Sequence, residues 1–154
     1  MQAIEPSSPS PVLSTPGHLI SVAARGFVRL SEARLKPLGF GVGQLPVLVA
    51  LQDGAASSQR DLARFARIEQ PSMAQMLGRM ERDGLITRTP DPLDGRSSQV
   101  ALTEVARARM PEACAVLLQG NNEVLEGFSA EESALLVSLL QRLIVRLDET
   151  LGGA

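Results

Sequence analysis

The chain has 154 residues and a net charge of -2, with 44% hydrophobic and only 3% aromatic residues. That length suits one domain with a real core, built from Leu, Val, Ile, Met and Ala rather than from rings. The charge excludes coating of nucleic acid by bulk positive potential. One cysteine excludes a disulfide framework and every multi-cysteine zinc site.

No apolar run is long enough to span a bilayer, and the amino terminus lacks the basic-then-apolar order of a signal peptide. A cytoplasmic protein without a membrane contact is expected. Residues 1–16 are rich in Pro and Ser without periodicity and read as a disordered tail. Residues 17–151 then read as a single domain. From His18, the residues Leu19, Val22, Ala23, Phe27, Leu30 and Ala33 recur at helical spacing and end near Lys36-Pro37. After "GFGVG", the segment "QLPVLVALQD" reads as a short buried helix closing at Gly54, with Pro46 tolerated in its first turn.

Two short helices follow in quick succession. "SSQRDLARFARI" opens with Ser58 three residues before Asp61, an approximate capping box, and is expected to bury Leu62 and Phe65. "EQPSMAQMLGRMERDG" has Pro71 in its first turn, a stripe of Met73, Leu77 and Met80, and a stop at Gly84. Two helices joined by a tight turn form a helix-turn-helix pattern. Beyond them, "LITRT" and "SSQVAL" carry β-branched residues on either side of "PDPLDGR", which spells a hairpin with Pro90, Pro92 and Asp94-Gly95 in its loop.

Thr103 then caps a long helix expected to reach about Gly127, bent or interrupted at Pro111 and loosened at Gly120-Asn121-Asn122. Ser129 and Glu132 form a capping box for a last helix. Its Leu136, Leu139, Leu140, Leu143, Ile144 and Leu147 make a broad apolar face, suited to a second copy or to intramolecular packing.

The predicted fold class is mainly α with a small β-hairpin, a winged helix-turn-helix plus further helices. In such a fold the second helix fits the major groove and the wing tip reaches the flanking backbone or minor groove. From Ser57 to Val100 there are seven arginines against six acids, while the rest of the chain is net negative. Every base there is Arg, the forked donor suited to phosphate and guanine edges. With Met73, Leu77 and Met80 inward, the outward face carries Gln75 and Arg82, with Ser72 and Arg79 on its flanks and Gln70 at its start. Ala74 and Gly78 are small enough for close approach to DNA. Solvation of an exposed face is the alternative reading of these residues.

The run "LARFARIEQPSMAQMLGRMERDGLITRTPDPLDGRSSQVALTEVA" resembles the MarR family of bacterial transcription regulators. The "GLITR" before the wing, the Asp94-x-Arg96 tip and the later Leu102-Thr103 carry the likeness, which extends more weakly over residues 18–148. One departure is Ala106, where the family usually has Gly; Ala is the better helix former. The resemblance implies a homodimer that binds a pseudo-palindromic operator in double-stranded DNA and represses transcription. It assigns the winged helix-turn-helix to residues 57–103 and dimerisation to helices within 18–36 and 103–149. It also implies that Arg96 enters the minor groove with Asp94 as its holder. A small-molecule effector, such as an aromatic acid, is part of the same expectation, with His18, Arg25 and Arg29 as candidate ligand-binding residues.

Two other function classes are compatible with the same sequence features. One is a winged helix used as a protein-interaction module; the other is a regulator that senses oxidants through Cys114. Cys114, between Ala113 and Ala115, reads more simply as a small buried residue. An enzyme is not expected, because His18 is the only histidine and no nucleophilic constellation forms without it. No metal or cofactor is expected either.

Overall fold

The computed structural model describes residues 10–152. They form six α-helices and one two-stranded antiparallel sheet, in the order α1 (Pro16–Leu35), α2 (Leu45–Gln52), α3 (Gln59–Ala66), α4 (Gln70–Arg82), β1 (Ile86–Pro90), β2 (Ser98–Leu102), α5 (Glu104–Val124) and α6 (Ala130–Thr150). Two compact units divide between Leu117 and Leu118. Sequence alone draws no boundary within 17–151, because α5 carries the chain across this point without a loop.

Helix starts follow cap chemistry. Thr15 Oγ1 accepts the His18 N–H at 3.4 Å with Pro16 behind it, so α1 opens at Pro16 and a short 3-10 turn covers Pro11–Ser14. Residues 10–16 are therefore shaped, in place of the tail expected there; residues 1–9 of that expectation lie outside the described residues. Ser58 Oγ accepts the Asp61 N–H at 3.1 Å and opens α3. The Ser129–Glu132 box is closed in both directions, at 2.9 and 3.0 Å.

The core of the first unit lies where α2, α3 and α4 meet the sheet and the start of α5. Leu48, Leu62, Met73, Leu77, Met80, Ile86 and Met110 are fully or almost fully buried. Each such side chain stabilises the fold by about 1.5–3 kcal/mol, which makes the Met73–Leu77–Met80 stripe the anchor of α4. Phe65 does not join this core and is 48% exposed. Leu62, Ala63 and Ala66 define the inward face of α3, and Phe65 falls at its edge.

Pro111 lies inside α5, which runs unbroken from Glu104 to Val124. One amide is lost, but Ala106, Met110 and Ala113 are fully buried around it, so packing holds the helix in place. Nor does Gly120 end the helix: Gln119 Nε2 donates to Glu123 Oε1 at 3.1 Å across it. Gly127 follows in a left-handed conformation, φ 91°.

The last strand passes directly into α5 through Thr103. Its N–H donates to Leu85 O at 3.0 Å, its Oγ1 donates to Gly84 O at 2.7 Å, and the same oxygen accepts the Ala106 N–H at 3.2 Å. Thr103 thus caps α5 and ties it to the entrance of β1. Thr103→Val keeps the shape and removes both hydroxyl bonds, so it should cost about 2 kcal/mol in urea unfolding. Thr103→Ser should retain most of that stability, and equal stability for all three proteins would refute the assignment.

Candidate nucleic-acid interface

α4 presents its polar face outward. Ser72, Gln75, Arg79 and Arg82 are exposed, opposite the buried stripe, as the helical spacing predicted. Arg82 Nε also donates to Asp83 Oδ1 at 3.3 Å, but its side chain stays 71% exposed. Gln70, the first residue of α4, lines a groove toward the wing. Gly78 lies beside Arg88: a Cβ there would sit 3.7 Å from an Arg88 guanidinium nitrogen, an ordinary contact.

The wing is a hairpin in register Ile86↔Leu102, Arg88↔Val100 and Pro90↔Ser98. Its loop is tied by its own side chains. Asp91 Oδ1 accepts the Leu93 N–H at 2.9 Å, and Asp94 Oδ1 accepts the Arg96 N–H at 3.0 Å. Ser97 N–H donates to Asp94 O at 3.1 Å, closing a turn around Gly95. Asp94 therefore holds Arg96 through its backbone amide. The Arg96 side chain stands exposed at the tip.

Sequence reasoning missed three features of this face. First, Arg88 belongs to the inward side of β1, cross-strand from buried Val100, with its side chain only 25% exposed and its Nε 3.8 Å from Glu81 Oε1. Strand alternation was the available signal: β1 alternates from buried Ile86, so Arg88 falls on the same side. Second, the residues before α3 extend the sheet: Val100 N–H donates to Ser57 O at 2.7 Å, and Ser58 bridges Gln99. Third, a polar groove of about 680 Å³ opens between α3 and the wing. Arg60, Asp61 and Arg64 line one side, and Asp91, Asp94 and Arg96 line the other.

The candidate ligand residues stand apart from that groove. His18 is half-buried in the first turn of α1, and Arg25 and Arg29 are exposed one turn apart along the same helix. Cys114 is half-buried and packs against the core of the first unit. Among the described residues, no cluster of three or more His, Cys, Asp or Glu side chains could hold a metal, and no helix is long and apolar enough to cross a membrane.

If Asp94 fixes the tip through the Arg96 amide, Asp94→Ala should accelerate hydrogen exchange at that amide, whereas Asp94→Asn, which keeps the acceptor oxygen, should not. Equal exchange in both variants would show that the tip does not need this bond.

A family model described as the MarR family matches residues 38–97, which span α2 to the wing tip. A mutant of MarR from E. coli, solved in complex with operator DNA, superposes with a TM-score of 0.79 at 25% identity, covering 89% of this chain and 99% of that one. A probable transcriptional regulator from Pseudomonas aeruginosa superposes with a TM-score of 0.78 at 27% identity, covering 86% and 98%. The transcriptional repressor CouR, bound to a 23-mer DNA duplex, shares the fold at 22% identity with a TM-score of 0.81, covering 91% and 99%. The helix-turn-helix and most of the wing thus lie within the stretch that the MarR family model matches, and the fold is similar to that of MarR solved on operator DNA.

Proposed function

We propose that this protein is a dimeric repressor of a pseudo-palindromic operator. The observation that carries this reading is the pairing of an exposed polar face on α4 with an exposed arginine on a hydrogen-bonded wing tip. Gln75 has the geometry to read an adenine edge, and Arg79 and Arg82 suit guanine edges or phosphates. Arg96, held at the tip, suits the concentrated negative potential of a narrow minor groove. Release by a small effector rests on the family resemblance, with Arg25 and Arg29 as its carboxylate partners. Cys114 remains a packing residue in this reading.

Arg96→Ala should weaken binding to a duplex selected by the protein from a random pool and lower the slope of log affinity against log salt by about one unit. Fluorescence anisotropy across a salt series measures both. An unchanged affinity and slope would remove the wing from the interface.

The dimer reading is supported by the apolar faces that the single chain leaves in water. Leu19, Ile20 and Val22 of α1 are 38–53% exposed, and Leu139, Leu140 and Ile144 of α6 are 36–45% exposed. Apolar surface of this extent marks association sites. Leu140→Glu with Ile144→Glu should shift the protein from dimer to monomer in sedimentation equilibrium. A monomeric parent protein would overturn the dimer.

A further inference from the structure

Arg88 stands against the ordinary preference of its site. It lies on the inward side of β1 with buried Ile86, opposite buried Val100, and its side chain is only 25% exposed. Its Nε is buried and has no hydrogen-bond partner among the described residues. Burying a charged donor in this way costs stability that an apolar side chain on the same strand would not. Departures of this kind from local rules concentrate where a protein serves its function.

What the charge meets is α4. Glu81 Oε1 lies 3.8 Å from Arg88 Nε, close enough for attraction and beyond hydrogen-bond reach. Gly78 precedes Glu81 by one helical turn on the same face, and a Cβ there would sit 3.7 Å from an Arg88 guanidinium nitrogen. The guanidinium thus packs against the helix at a position without a side chain, and the carboxylate draws it there. Glu81 is itself half exposed, so loss of Arg88 would leave its carboxylate hydrated.

The base of the wing is held elsewhere. Gly84, at φ 75°, turns the chain from α4 into β1, and Thr103 binds the Gly84 and Leu85 carbonyls. A strand fixed only at its base can still swing about that point. Arg88 lies further along, so a tie from it to α4 fixes the direction of the strand. Arg96 rides at the far end of the hairpin, where a small change in direction becomes a larger displacement.

We propose that the Glu81–Arg88 pair is a latch that sets the angle between the wing and α4, so that Arg96 and the outward residues of α4 meet one duplex in register. The inference rests on DNA binding by those two elements and names what aligns them. Glu81 and Arg88 are positioning residues and do not touch the DNA.

The test uses Arg88→Met, Glu81→Gln and the double variant, with the duplex selected from a random pool and an unrelated duplex of equal length. Arg88→Met removes the unbonded buried donor and keeps an apolar stem, so its urea midpoint should equal or exceed that of the parent at the same concentration. Each single variant should nonetheless weaken binding to the selected duplex by about tenfold, the scale of coupling between residues in contact. Binding to the unrelated duplex, made through the backbone alone, should change far less, so the ratio of affinities falls. The double variant should bind no more weakly than either single one. The salt slope should keep its parent value in all three, because no phosphate contact is lost.

A slope lowered by about 0.9 in Arg88→Met, with Glu81→Gln binding at least as tightly as the parent, would make Arg88 a phosphate contact and overturn the latch. An unchanged affinity ratio in both single variants would overturn it too, leaving the wing in place if Arg96→Ala still weakens binding. A parent protein with no preference for the selected duplex would overturn both readings.

Discussion

The winged unit depends on the bonding around Thr103. One residue closes the end of β2, receives the entrance of β1 and starts α5, using its backbone N–H and both capacities of its hydroxyl. A buried or half-buried polar group left without a partner costs more than the net value of the bond it lost. The hub therefore fixes geometry as well as adding stability. Because β1 leaves directly from the end of α4 at Gly84, the same three bonds set the position of the wing relative to the outward helix.

This arrangement lets an acidic chain present the face proposed to bind DNA. With a net charge of -2, long-range attraction to DNA is weak, and the work falls to where individual arginines stand. Arg96 and Arg88 show the difference. The first stands in water at the tip of a tied loop; the second lies along the inner side of β1 against α4, its guanidinium beside Glu81 and Gly78. Counting arginines treats them as equal. The strand ladder separates them by which side of a pleat each one occupies.

Much of the fold was legible because its signals are local. Caps at Ser58, Thr103 and Ser129, the Met73–Leu77–Met80 spacing and the loop residues Asp91 to Ser97 each act within a few positions, and the helix and hairpin positions follow from them. The outward residues of α4 were legible for the same reason, as the complement of a buried stripe. What escaped depends on contacts distant in sequence. The pairing of Ser57 with Val100, the exposure of Phe65 and the continuity of α5 through Pro111 are all decided by neighbours that periodicity cannot see. The groove between α3 and the wing is of the same kind, since its two sides come from segments about thirty residues apart. The bond from Asp94 is intermediate: the pairing with Arg96 was readable, and its use of the backbone amide was not.

Arg67 joins α3 to α4 and is the one described non-glycine residue with positive φ, at φ 55° and ψ 43°. A left-handed backbone at such a residue stores on the order of 1–3 kcal/mol of strain. Its N–H is bonded to Ala63 O and Arg64 O, and the next amide, of Ile68, also returns to Ala63 O at 3.0 Å. Those bonds, rather than the preference of the residue, hold the corner between the two helices. The corner therefore works as a clasp kept shut by the last carbonyls of α3. If that final turn frays, the clasp opens and the strained residue is free to relax, carrying the start of α4 with it.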